Sequence, residues 1–196
     1  MKYFPIIDYL LRKLGLIPPT EFSRKTAVFD VRKPLPFNDS FVHAIYAGEL
    51  WEHLLPKDAV SLMNECYRVL IPGGQLRVNV PNTYRFWKRY CDAHEEMIKQ
   101  HRESWDDNYA NKWVGMFWED ICTSRPLFNS MGHFHKWAYD EVSLTLQYER
   151  AGFVNVKKRN LHESNIPNID QVEKRSFLVI EGDKPQDGMP KRSPRN

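Results

Sequence analysis

One stretch of this chain, from Thr26 to Asn82, constrains the fold more than any other. Its residues alternate between strand-like and helix-like patterns joined by very short connections. Thr26–Val31 reads as a short buried strand ending near a carboxylate. Residues 33–40 then form a turn region, because Pro34 and Pro36 exclude helix and central strand, and Asn38-Asp39-Ser40 is turn chemistry. His43–Ala47 reads as a second strand, and Gly48 follows it where the backbone must turn sharply or approach something closely. Lys57–Leu70 places Ala59, Leu62, Met63, Cys66, Val69 and Leu70 on one helical face. Pro72-Gly73-Gly74 turns the chain into the strand Gln75–Val80. Strands and a helix at this spacing predict a parallel sheet with right-handed crossovers.

The remainder reads as additions to that sheet. Residues 5–15 fit a short amphipathic helix with Pro5 in its first turn and Gly15 as its stop. Its apolar residues are interrupted by Asp8, Arg12 and Lys13, so they make neither a secretory core nor the roughly 20-residue run of a membrane span. Residues 83–126 interleave Tyr84, Phe86, Trp87, Tyr90, Trp105 and Trp113 with charges. They predict two helices, near 83–103 and 106–121, inserted over one end of the sheet. Asp140 and Gly152 bracket a helix over 141–151, even though Val142, Leu144, Leu146 and Tyr148 alternate as a strand would. Val154–Lys158 and Ser176–Ile180 read as the last strands, with a loop containing Pro167 between them. From Asp183 onward the composition predicts a disordered tail. Residues 1–182 are thus expected to form a single domain.

Composition excludes several classes of function. A chain of 196 residues with 42% hydrophobic and 27% charged residues is ordinary for a globular domain. A net charge of +3, part of it from Lys184, Lys191, Arg192 and Arg195, gives no reason to invoke nucleic acid. Cys66, Cys91 and Cys122 contain no CxxC pair, so neither a disulfide framework nor a zinc ribbon is indicated, and a reducing, cytoplasmic setting is expected.

From Asp30 to Phe41 the sequence resembles class I S-adenosylmethionine-dependent methyltransferases, in particular the small group acting on glycans and small molecules. The resemblance continues through Ile45-Tyr46-Ala47-Gly48-Glu49-Leu50-Trp51-Glu52-His53-Leu54 and through Glu65–Leu76 with its Pro72-Gly73-Gly74. Gly132-His133, Tyr139-Asp140, Ala151-Gly152-Phe153 and the strand at 176–181 are similar to the family's closing elements. The resemblance implies an α/β, Rossmann-like methyltransferase sheet with a helical aromatic-rich insertion. Its cofactor would be S-adenosylmethionine and its reaction methyl transfer to a small molecule or glycan. The family opens with a strand, a Gly-x-Gly loop and a second strand ending in an acidic residue, which together cradle the cofactor. Only 25 residues precede the first matching strand here, with Gly15 their single glycine, where two βα units need about 60. The expected sheet is therefore N-terminally truncated, with about five strands, and the Thr26–Val31 strand pairs directly with His43–Ala47.

The resemblance places Asp30 and Val31 at the cofactor's adenine and Ala47, Gly48 and Glu49 beneath the transferred methyl group. On the residues alone, Asp30 instead caps a strand end, and 47–49 form a tight strand-to-helix turn. His53 is a candidate acid/base group, or else packs near the following helix. His133 is a candidate for the substrate pocket. His133-Phe134-His135 has no Cys, Asp or Glu close in sequence at metal-ligand spacing, so no metal site is expected. Three readings result: a methyltransferase acting on a small molecule or glycan; a cofactor-free module of the same fold; or part of a longer enzyme. A homo-oligomer or a partner chain would use residues 1–25 or 83–126. The aromatic insertion is a substrate lid, a partner surface or core.

Overall fold

The computed structural model describes residues 29–99, 135–175 and 177–186. The chain divides into two compact units, residues 1–30 and 31–196. Of the first, only Phe29 and Asp30 are described, and neither lies in a helix or strand. Val31 opens a turn. The described part of the expected Thr26–Val31 strand is therefore irregular. Two prolines within the following five residues keep this end of the segment off a ladder. Residues 26–28, and the helices expected over 5–15 and 106–121, lie outside the described residues.

The βαβ unit forms as the pattern implies. Strand β1, Val42–Gly48, runs parallel to β2, Leu70–Val80, with Ile45 opposite Leu76 and Gly48 opposite Asn79. Helix α1, Pro56–Val69, connects them. Pro56 suits the first turn, where its missing N–H is no loss. Ala59, Leu62, Met63, Cys66 and Val69 bury the predicted stripe. Burial pushes the Cys66 thiol up to about 12, so it behaves as a small apolar side chain.

The Pro-Gly-Gly segment does not separate helix from strand. Leu70 already pairs with Val42, and the next pair is Ala44 with Gln75, so Ile71–Gly74 bulges out of β2. Gly73 has φ +77, and a Cβ on Gly74 would come within 2.9 Å of the carbonyl oxygens of His43 and Ile71. The bulge exposes backbone groups that need partners. Lys184 supplies them: its N–H donates to Gly74 O at 2.8 Å, its carbonyl accepts from Gly73 N at 2.9 Å, and its Nζ reaches Leu70 O at 2.6 Å. Residues 183–186 are therefore part of the fold, contrary to the expected tail. Residues 187–196 lie outside the described residues.

The described sheet has four strands in the order β1-β2-β4-β3, with β3 at Val154–Arg159 and β4 at Leu178–Asp183. It is mixed, not parallel: β4 runs antiparallel to both β2 and β3. A long connection over residues 160–177 carries the chain back with no crossover onto the same face, so the final pair reverses direction. That connection includes a short helix at Ile169–Val172, unforeseen beside Pro167. Leu76, Val78 and Val80 of β2 face the core with Leu178 and Ile180. Arg77 and Asn79 point to the other face, where residues 160–175 cover them.

Helix α2, Thr83–Lys99, lies where the first helix of the insertion was expected, and residues 100–103 lie outside the described residues. Helix α3, Glu141–Ala151, has the predicted ends. Leu144 and Tyr148 are buried while Val142 and Leu146 are exposed, so the apparent alternation is one helical face and its opposite. Asp140 accepts from Ser143 N at 2.7 Å, Ser143 Oγ accepts from Asp140 N at 3.1 Å, and Gly152 takes φ +99. The Ser143 backbone bond holds the Asp140 carboxyl below the usual range, against partial burial. Because the folded pKa is depressed, this stabilisation is present above the unfolded value near 3.8 and fades as pH falls through the folded one. Asp140→Ala is expected to cost about 1 kcal/mol at neutral pH. The difference from wild type should shrink in urea titrations carried below pH ~4.

Arg68 ties the proline turn to α1. It donates to the carbonyl oxygens of Leu35 and Phe37 and pairs with Glu65 and Asp39 at 2.7 Å each. Leu35 N in turn donates to Glu65. The turn that delivers the chain to β1 is thereby anchored by Arg68 and Glu65 of α1. No helix among the described residues is long and apolar enough to cross a membrane.

Candidate functional site

In an open α/β sheet the carboxyl ends of the parallel strands are where backbone groups and connecting loops converge. Here β1 ends at Gly48, and Glu49 follows in the left-handed region at φ +53 with its N–H on Asn79 O at 2.8 Å. Such a conformation is uncommon for a residue with a side chain and sharply redirects the chain. Residues Trp51–His53 then make one 3-10 turn in which Trp51 and Glu52 are buried and His53 is half-buried.

A second segment lies against this turn. The N–H groups of Lys136 and Trp137 both donate to Glu52 O, at 2.6 and 3.2 Å. Tyr139 forms an isolated parallel bridge with Asn82, just beyond β2, and its carbonyl accepts from Thr83 N at 2.9 Å. Residues 135–139 are thus clamped across the ends of β1 and β2. The His53 and His135 rings meet edge to face, with centroids 4.9 Å apart and planes at 67°. His135 Nε2 lies 4.0 Å from Glu52 Oε1. Burial raises the Tyr139 phenol pKa; Gln147 opposes this and the charge of Glu52 adds to it.

The predicted site residues fare unequally. Ala47 is buried with its methyl in the core, so only its backbone reaches the edge. Gly48 is exposed, but a Cβ there would collide with the Tyr46 hydroxyl, which occupies that space. The exposed Glu49 carboxylate lies 3.6 Å from Arg175, whose carbonyl accepts from the Asn79 side chain. Val31 packs against the core from its turn. Asp30 belongs to the first unit, and His133 lies outside the described residues. His53 does reach a polar cluster, together with Glu52 and His135. Sequence reasoning weighed His135 only as a metal pair with His133 and gave it no role of its own.

A family model described as a methyltransferase domain matches residues 17–78, about a third of the chain. No curated protein sequence matches. Solved structures with a similar chain path include a SAM-dependent methyltransferase of Methanosarcina mazei, at 15% identity and TM-score 0.48, covering 93% of this chain and 77% of that one. A SAM-dependent methyltransferase of Archaeoglobus fulgidus aligns at 16% identity and TM-score 0.40, covering 76% and 62%. A protein of Bordetella parapertussis described as a possible exported protein aligns at 14% and 0.45, covering 80% and 43%. This chain spans less than two thirds of the last two.

Proposed function

We propose, from the premise that residues 17–78 carry a methyltransferase domain, that this chain works in methyl transfer at the carboxyl edge of β1 and β2. The observation that supports this most is the convergence of Glu52, His53 and His135 at that edge, brought together from two segments far apart in sequence. The acceptor would be a hydroxyl or amine of a small molecule or glycan. Transfer from a sulfonium depends more on orientation than on strong activation. His53, beside buried Glu52, would take the acceptor's proton, and removal of such a base typically costs about 10²–10⁴ in rate.

S-adenosylmethionine, the donor this family implies, supplies an electrophilic methyl group when bound. The described residues fit it only in part. They contain no glycine-rich loop, and the Tyr46 hydroxyl fills the space beside Gly48 that a closely approaching ligand would use. Tyr46 would have to turn away, and the rest of the cradle would come from residues outside the described set or from a partner chain. The same observation favours a second reading, a cofactor-free binding module on a methyltransferase fold.

Calorimetric titration with S-adenosylhomocysteine separates the two. Micromolar binding is the expected result for the enzyme reading. No heat with millimolar ligand would overturn it in favour of the module.

A further inference from the structure

We infer that Glu52, His53 and His135 form a binding site for a zinc-class divalent metal ion. One imidazole nitrogen from each histidine and one carboxylate oxygen would act as ligands, with at least one coordination position open.

The three side chains can each present a ligand atom such that all three atoms lie within 4.8 Å of one another. In a tetrahedral site with bonds of about 2.0–2.1 Å, ligand atoms sit about 3.4 Å apart. The observed triangle, with His135 Nε2 at 4.0 Å from Glu52 Oε1, exceeds that size by at most about 1.4 Å on any edge, so the ligand atoms would draw in as an ion binds. The backbone is already set. Glu52 and His53 are neighbours on one 3-10 turn, and the paired N–H contacts from Lys136 and Trp137 to Glu52 O fix where His135 stands. Two imidazoles and one carboxylate suit borderline divalent ions, and three protein ligands leave room for water or substrate oxygen. Glu52 is 2% exposed, and a buried carboxylate is stabilised most by a compact positive charge beside it.

The chemistry was hidden from sequence spacing because the ligands come from two segments joined only by the fold. Ion binding stands independently of the methyl-transfer reading. Only the occupant of the open position, an acceptor hydroxyl, rests on that reading; with the ion present, the metal would lower that hydroxyl's pKa, and His53 would be a ligand instead of a base.

The test uses the full chain without a histidine tag, dialysed against chelator and then titrated with Zn²⁺ or Co²⁺ in the absence of any methyl donor. One equivalent of Zn²⁺ is expected to bind and to raise the melting temperature, and Co²⁺ should give the visible absorption of a four- or five-coordinate ion. Glu52→Gln and His135→Ala should each weaken binding by more than about tenfold, beyond what loss of a merely supporting contact usually does at its low end. His94→Ala, an exposed histidine on α2, should bind as wild type. Absence of the cobalt band and of stoichiometric zinc in wild type would overturn the site whatever the variants do. So would unchanged binding in both ligand variants. Failure to bind S-adenosylhomocysteine would leave the metal result intact.

Discussion

Replacing Arg77 with methionine is expected to destabilise the fold by about 3–5 kcal/mol, the usual cost of breaking a buried ion pair from one side. Arg77 is fully buried on β2. Its guanidinium makes a two-bond fork to Glu173, at 3.0 and 2.7 Å, and reaches Glu181 on the neighbouring strand at 3.1 Å. The carbonyl oxygens of Asn160 and Glu163 accept its remaining N–H groups at 2.8 and 3.0 Å. Burial disfavours the charge, but Glu173 and then Glu181 outweigh it and hold the guanidinium pKa above its ordinary value. Methionine fills similar volume and removes every one of these donors, which leaves buried Glu173 with the His162 amide and buried Glu181 with Ser164 and the more distant Arg159. Urea denaturation measures the loss, and a shift below about 1 kcal/mol would contradict this account. The triple variant R77M/E173L/E181L separates charge from packing. Replacing the whole set by apolar groups should recover part of the deficit and not all of it, because Arg159, Ser164 and the His162 amide, which also bond these carboxylates, then lose their acceptors. The effect should extend to the sheet edge. The segment Arg77 anchors includes Arg175, which meets Glu49 and Asn79 there.

Elements whose signals lie within a few residues were legible in the sequence. The ends of α3 were written in Asp140 and Gly152, and the buried face of α1 in five apolar residues at helical spacing. The parallel pairing of β1 with β2 followed from a connection too short for anything but one helix. What escaped depends on partners distant in sequence. The antiparallel entry of β4 between β2 and β3 was hidden, because a strand's pattern of side chains does not encode its direction. The order at residues 183–186 arises from a bulge more than a hundred residues earlier, whose unpaired carbonyl and amide groups take Lys184 as their partner. Likewise, nothing local marks Arg77 as the centre of a buried network.

The site divides along the same line. Gly48 was identified correctly as a place of close approach, but what approaches is the chain's own Tyr46. His53 was identified from its neighbour Glu52. Its actual companion, His135, arrives only because two backbone amides dock on the Glu52 carbonyl. A sequence motif can nominate one side of a cluster, and the opposite side is supplied by topology.

Trp51→Ala is expected to cost about 3–5 kcal/mol, the range for truncating a large aromatic in a packed core. The indole is fully buried in the cluster that also holds Ala47, Leu54 and Tyr139. It is also the first residue of the turn that carries Glu52 and His53, so the cavity would open directly beneath the proposed site. Trp51→Phe should behave differently. The indole Nε1–H is buried with no hydrogen-bond acceptor among the described residues, a state that costs about 1–3 kcal/mol for an ordinary donor. Phenylalanine removes that donor while keeping most of the apolar volume, so the two changes offset and the net loss should stay below about 1.5 kcal/mol. The pair therefore tests function as well as packing. The phenylalanine variant should retain stoichiometric zinc and any S-adenosylhomocysteine binding, while the alanine variant should lose both even at temperatures where it remains folded. If phenylalanine proved as costly as alanine, the indole N–H would have to be satisfied in solution. The turn would then be held by that hydrogen bond, not by the aromatic volume beneath it.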